Sequence, residues 1–252
     1  MANKETTGKL KRKASDKRGN QGSPQSTGRW LWEWVKSLSV AVLLFLVIRT
    51  FAVEAFKIPT GSMEETLLVG DFLLVNKAVY GAQVPFTGLR LPAFDNPEPG
   101  DVIVFEYPLD RKKNYVKRVV GLPADTLSMK GGRLYVNGVV MAEDYVQHIQ
   151  PNGNYYDPQF EWQRHYLAGK VDPSVYRPTR DDWGPIIVPP DKYFVMGDNR
   201  DNSQDSRYWG FVDRRLIKGR PLIIYYSFDK STLRPVPWIT EVRWKRVGDV
   251  IR

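Results

Sequence analysis

Between Lys36 and Arg49 the chain runs for twelve residues, Ser37 to Ile48, without a charge, inside the segment WLWEWVKSLSVAVLLFLVIRTFAVEAF at 30–56. As a helix, twelve residues span about 18 Å, against about 30 Å for the hydrocarbon core of a bilayer. The flanks extend the segment. Trp30, Trp32 and Trp34 suit the headgroup region, and Lys36 and Arg49 can reach outward along their methylenes. Counted from Trp30 to Phe56 the segment is long enough to cross. No later apolar run reaches the roughly eighteen residues a span needs, so one transmembrane helix is expected. A cleaved leader competes with this reading, because Ala52-Val53-Glu54-Ala55 offers small residues for a cut. Cleavage after Ala55 would leave the turn at 59–62 almost at a free end, which favours an anchor over 30–56.

Charge orients that anchor. Residues 1–29 hold eight Lys and Arg against Glu5 and Asp16, and this excess is most of the chain's net +9. The tail is rich in Gly, Ser and Lys and reads as disordered. A basic flank before a span keeps the N-terminus cytoplasmic and places everything after about residue 57 across the membrane. The remainder is close to charge balance, which argues against nucleic acid as a partner. The absence of cysteine removes disulfides, thiol nucleophiles and thiolate metal sites.

After the anchor the chain reads as mainly antiparallel β. DFLLVNKAVY (71–80), GDVIVFEYP (100–108), YVKRVVGL (115–122), GRLYVNGVVM (132–141), YFVMGD (193–198) and PLIIYYSF (221–228) are short and rich in β-branched and aromatic residues. Asn137-Gly138 between LYV and VVM predicts a tight hairpin. Residues 143–185 are polar and aromatic with few aliphatics, and read as an insertion.

PTGSMEET (59–66) places Ser62 on a stiff turn of Pro and Gly. A serine hydroxyl is a poor nucleophile until a base takes its proton. The two histidines, His148 and His165, lie in the polar insertion; a Ser–His–Asp triad and two exposed histidines are both open readings. Zinc is disfavoured by two histidines with no cysteine and no HExxH. DNRDNSQD (198–205) fails as a calcium loop, with Arg200 at a ligand position, Ser203 at the turn glycine and Trp209 where the glutamate belongs. No metal or other cofactor is expected. The remaining base is Lys117, in an alternating strand that puts Tyr115, Lys117 and Val119 on one face and Val116, Arg118 and Val120 on the other. Taken alone, such a lysine reads as an edge or surface residue. A base needs burial instead, enough to lower its pKa by roughly 2–3 units.

PTGSMEETL, PGDVIVFEYP, YVKRVVGLPADTL and GDNRDNSQDSRYWGFV, in that order after one basic-flanked anchor, resemble bacterial type I signal peptidase, the leader peptidase family. The resemblance covers about residues 35–129 and 191–252. It implies a Ser/Lys endopeptidase that releases exported proteins from their signal peptides at the outer face of the cytoplasmic membrane. It implies a catalytic core at 57–129 and 191–252 with an inserted second β/loop domain at 130–190. Position by position, Ser62 is then the nucleophile and Lys117 the general base. Thr60 and the Ser62 N–H form the oxyanion hole, and Ser203 orients the lysine. Asp205 with Arg207, and Asp198 with Arg118, are supporting ion pairs. The implied substrate pocket, which takes small residues at the first and third positions before the cut, has as walls Phe56, Ile58, Pro59, Met63, Leu67, Leu73, Val104, Tyr115 and Val116, with Asn114 on the substrate backbone. The implied partners are signal-peptide-bearing preproteins, membrane lipids and the export translocon, with the enzyme monomeric.

One position departs from the family, which often has proline three residues after the serine; here it is Glu65. Glu64 and Glu65 would raise the lysine pKa if they pointed inward, and they are expected to face water. Two alternatives stand beside the peptidase: a catalytically silent, membrane-anchored β-domain that binds exported chains, and a self-cleaving Ser/Lys protease of the repressor type.

Overall fold

A computed structural model of the chain describes residues 27–85, 87–149, 154–232 and 234–252. Of the basic tail expected over 1–29, residues 1–26 lie outside the described residues. Helix α1 covers Thr27–Val47 and continues as a π-helical turn over Ile48–Ala52. Gly28–Ala52 is long and apolar enough to cross a membrane. The anchor expected over 30–56 is helical only to Ala52. Val53–Lys57 instead forms strand β1, which pairs antiparallel with the next strand along one edge.

From there the protein is mainly antiparallel β. The strands are β1 (Val53–Lys57), β2 (Asp71–Asn76), β3 (Val102–Tyr107), β4 (Asp110–Gly121), β5 (Thr126–Lys130), β6 (Arg133–Val136), β7 (Val139–Val140), β8 (Trp183–Ile187), β9 (Lys192–Met196), β10 (Val212–Asp213) and β11 (Ile217–Ser227). Seven form one sheet in the order β1-β2-β11-β3-β4-β9-β10, and four form a second in the order β7-β6-β5-β8. Strand β2 ends at Asn76 because that side chain accepts hydrogen bonds from the N–H groups of Ala78 (3.0 Å) and Val79 (3.3 Å), turning the chain. The Asn137-Gly138 hairpin forms as expected, both residues at positive φ (52° and 82°). Pro221 sits in β11 opposite Val75, directly before a register shift against β2.

Alternation builds the core. Leu73, Val75, Val102, Val104 and Ile224 close one apolar cluster with Met63 and Leu67; Ile103, Phe105, Val119 and Val195 close another. A third joins the two sheets, with Val120, Phe194 and Met196 packed on Leu127, Met129, Leu134, Trp183 and Ile186. Residues 126–129, expected in the catalytic core, belong by their pairing to the second sheet. Leu127 and Met129 point into the cluster shared by both sheets, so their apolar pattern does not tell the two apart.

Candidate active site

Ser62 lies on the connection from β1 to β2. Ile58 N–H donates to Asp71 O (2.8 Å), Glu64 N–H to Gly61 O (3.1 Å) and Leu67 N–H to Met63 O (2.6 Å). Met63 and Leu67 are fully buried and fasten the turn to the core. Lys117 comes from β4, which lies between β3 and β9; β3 pairs with it at Lys117 and β9 pairs from Arg118 onward. Its register partner is Ile103. The side chain is 3% exposed. Its Nζ lies 2.5 Å from Ser62 Oγ, donates to Val116 O (3.1 Å), and stands 5.6 Å from the centre of the Tyr115 ring.

Burial pushes the Lys117 ammonium down to about 8; Asp205 and Asp198 pull it back up, and Arg207 adds to the lowering. Arg118 plays no part in that balance, because it projects from the opposite face of β4. There it grips Asp198 with two bonds (2.9 and 2.6 Å) and donates to the carbonyls of Gly100 and Arg252. Asp198 also accepts from the Thr66 hydroxyl (2.6 Å), tying the ion pair to the turn that carries Ser62. Asp205 and Arg207 form a second, fully buried bidentate pair, both bonds 2.8 Å. Burial opposes the Asp205 carboxylate most strongly, but the Arg207 guanidinium together with the Gly197 N–H and the Ser203 hydroxyl outweighs it and holds its pKa below the usual range.

The dyad opens into a cleft of about 510 Å³. Phe56, Ile58, Pro59, Met63, Asn114, Tyr115 and Val116 line it, with Thr60 beside Ser62. Leu67, Leu73 and Val104, expected as walls, stand one layer behind: each is 0% exposed and belongs to the cluster that backs the cleft, so a substrate has no surface of theirs to touch. Among the described residues neither the Ser62 N–H nor the Thr60 hydroxyl donates to another protein group, which leaves two donors free beside the Ser62 hydroxyl. Ser203 is buried, and its hydroxyl makes no hydrogen bond to Lys117; the carboxylate it favours is Asp205.

Four residues of the site escaped the sequence reading. Lys57, Asn202 and Gln204 also line the cleft. Gly197 is the fourth: a Cβ there would meet Ser203 Oγ at 2.2 Å and Ser62 O at 2.4 Å. A glycine at the end of a strand signals such close approach of backbones, and its place directly before Asp198 was the available clue. His148 pairs with Asp201 (3.1 Å) and His165 is exposed; neither lines the cleft. Glu65 is exposed, and neither Glu64 nor Glu65 is among the charges acting on Lys117. Glu65 has φ +74°, a conformation closed to proline.

The family model described as "Signal peptidase, peptidase S26" matches residues 31–226. The chain is 39% identical over 227 residues to signal peptidase I of Pseudomonas aeruginosa, covering 84% of this chain and 78% of that protein. It is 33% identical over 238 residues to signal peptidase I of Aquifex aeolicus, covering 80% and 86%. A crystal structure of a signal peptidase I from Enterococcus faecalis shares 31% identity, covers 50% of this chain and 96% of that one, and superposes with a TM-score of 0.34. The matched region takes in Ser62, Lys117 and the whole Asp198–Arg207 loop, and on that breadth of agreement the chain belongs to the signal peptidase family, peptidase S26, whose members cleave signal peptides.

Proposed function

We propose that this chain is a membrane-anchored serine endopeptidase in which Ser62 is the nucleophile and neutral Lys117 the general base. The observation that carries the reading is the buried amine of Lys117 at 2.5 Å from the Ser62 hydroxyl. The amine takes the hydroxyl proton as Oγ attacks the scissile carbonyl carbon. Negative charge then develops on the carbonyl oxygen, where the Ser62 N–H and the Thr60 hydroxyl receive it; one such donor is worth about 3–4 kcal/mol. The lysine ammonium returns its proton to the departing amine, leaving an acyl-enzyme. Water then adds to the acyl carbon, Lys117 takes its proton, and Ser62 departs with that proton restored.

The substrates are preproteins with small residues, alanine above all, at the first and third positions before the cut. The apolar walls Phe56, Ile58, Met63 and Val116 support a preference for small, apolar side chains at those positions. The N-terminus lies in the cytoplasm and the β-sheet part on the outer side of the cytoplasmic membrane, in accord with the basic residues before α1. Lipid headgroups and the export translocon are the neighbours that such a placement supplies, and the enzyme acts as a monomer. The four-stranded sheet and the loops around it form the inserted part.

The test is cleavage of a preprotein with alanine at both positions, using the full chain in detergent micelles. Ser62→Ala and Lys117→Ala should each abolish cleavage while leaving the fold intact. Full cleavage by either variant defeats the assignment. Binding of the preprotein without cutting by the unaltered chain would instead favour a silent binding domain.

A further inference from the structure

The loop that supports Ser62 is itself held from behind by residues 143–147, which come from the polar stretch after β7. The backbones are zipped together: Gln147 N–H donates to Asp198 O (2.8 Å) and Arg200 N–H to Gln147 O (3.0 Å). Side chains reinforce the join. Arg200 is 1% exposed, yet its guanidinium donates to both oxygens of Glu143 (2.6 and 3.1 Å). The same guanidinium donates through Nε to Gly197 O (3.2 Å), so one planar group clamps Glu143 to the glycine packed against Ser62 O. Asn199 N–H donates to that same Ser62 carbonyl (3.3 Å). Tyr145 donates to Glu143 (3.1 Å), and its ring lies 4.0 Å from the Arg118 guanidinium.

We propose that Glu143 is a positioning residue for peptide cleavage, acting through Arg200 on Gly197 and Asn199 to fix where Ser62 stands relative to Lys117. Glu143 touches no reacting atom, and nothing but its carboxylate neutralises Arg200 among the described ion pairs. Removing that carboxylate strands a buried cation, which must shift toward water and carry Gly197 with it. The dry surroundings of Lys117 depend on the same loop. Asp205, Asp198 and Arg207 are the charges that act on the amine, with the Tyr115 ring and Ser62 in direct reach. Loosening the loop admits solvent, relieves the desolvation, and moves the amine back toward its ordinary value.

The proposal rests on the Ser62–Lys117 reading, and the experiment separates the two. In the full chain, with the alanine-site preprotein in detergent, Glu143→Gln should lower kcat about tenfold or more with KM within twofold. The acid limb of the kcat profile should move to higher pH by about half a unit or more. Glu143→Asp, which keeps the charge, should recover most of kcat. Leu134→Val, in the core joining the sheets, should lower Tm and leave the limb in place. If Glu143→Gln does not fold, the double variant Glu143→Leu/Arg200→Met removes both charges together, a replacement that often preserves stability. A slow double variant with a shifted limb supports the proposal. Wild-type kcat in either variant, or lost kcat with an unmoved limb, overturns it. Cleavage that survives Ser62→Ala defeats the dyad reading instead.

Discussion

Gly197 and Ser62 are packed so closely that a Cβ on the glycine would stand 2.4 Å from the serine's carbonyl oxygen. The same Cβ would meet the Ser203 hydroxyl at 2.2 Å. Backbone cannot yield as the end of a flexible side chain can, so even a methyl group must push the two segments apart. Gly197→Ala is expected to lower kcat about a hundredfold, the scale of a misplacement near 1 Å. The fall in Tm should be modest, since overpacking costs about 1–3 kcal/mol. A variant within threefold of wild-type kcat would show that the close approach has no bearing on the nucleophile.

On the proposed Ser62–Lys117 reading, Lys117 sets the pH dependence. Its folded pKa, about 8, lies below the ordinary 10.5 because the amine is buried. The rate needs the neutral amine, so kcat should rise with pH, reach half its maximum near 8 and then level off. Stability follows the same shift. Between about 8 and 10.5 the unfolded chain binds more protons than the folded one, so stability rises with pH through that window. Below about 8 both states carry the charge, and the folded state bears its full burial penalty, about 3 kcal/mol. Lys117→Met should therefore be inactive, with a Tm above wild type at pH 7 and a gap that narrows toward pH 10. A half-maximal rate near pH 10, or a Tm gap that widens with pH, would contradict a dry amine.

The dyad and its supports are named through the resemblance of four ordered motifs to a known family; taken alone, Lys117 reads as an edge or surface lysine and the charged pairs as ordinary loop charges. Alternation along β4 separated Lys117 from Arg118, and the structure sends one to Ser62 and the other to Asp198. What escaped depends on contacts distant in sequence. Glu143 and Arg200 are 57 residues apart, and nothing in either neighbourhood names the other. Leu67, Leu73 and Val104 have the same apolar character as Ile58 and Met63. Which of them faces the cleft and which backs it depends on how three strands stack, and residue type carries no trace of that. The second sheet begins earlier than its composition suggests, since Leu127 and Met129 serve a core shared by both sheets.

On the proposed reading, Phe56 is the wall residue expected to limit the size of side chain the cleft accepts. It is half-buried on β1, lines the cleft and packs against the cluster behind it. Phe56→Ala opens space at the wall without touching Ser62 or Lys117. Substrates with valine or leucine in place of alanine before the cut should gain kcat/KM relative to the alanine substrate by about 10-fold or more, the worth of one or two methylenes in an apolar pocket. A panel of preproteins varied at the first and third positions measures the ratio. An unchanged ranking would remove Phe56 from the specificity wall.

Glu65 tests how firmly the turn holds the nucleophile. Its φ of +74° lies in the left-handed region, which costs an ordinary L-residue about 1–2 kcal/mol. Glycine adopts that conformation freely, whereas proline is locked near −65°. Its side chain is exposed, so substitution disturbs backbone conformation rather than packing. Glu65→Gly should keep kcat within threefold. Its Tm should hold or rise slightly, the relieved strain being partly offset by the greater freedom of the unfolded chain. Glu65→Pro must flip the turn that begins at Ser62, and with it the path from Met63 to Leu67 that fastens the serine to the core. We expect kcat to fall at least tenfold and Tm to drop by several degrees, measured by calorimetry in detergent. Proline and glycine variants with equal kcat would mean that the turn can be rebuilt around a negative φ without moving Ser62, and the departure at this position would then carry no structural consequence.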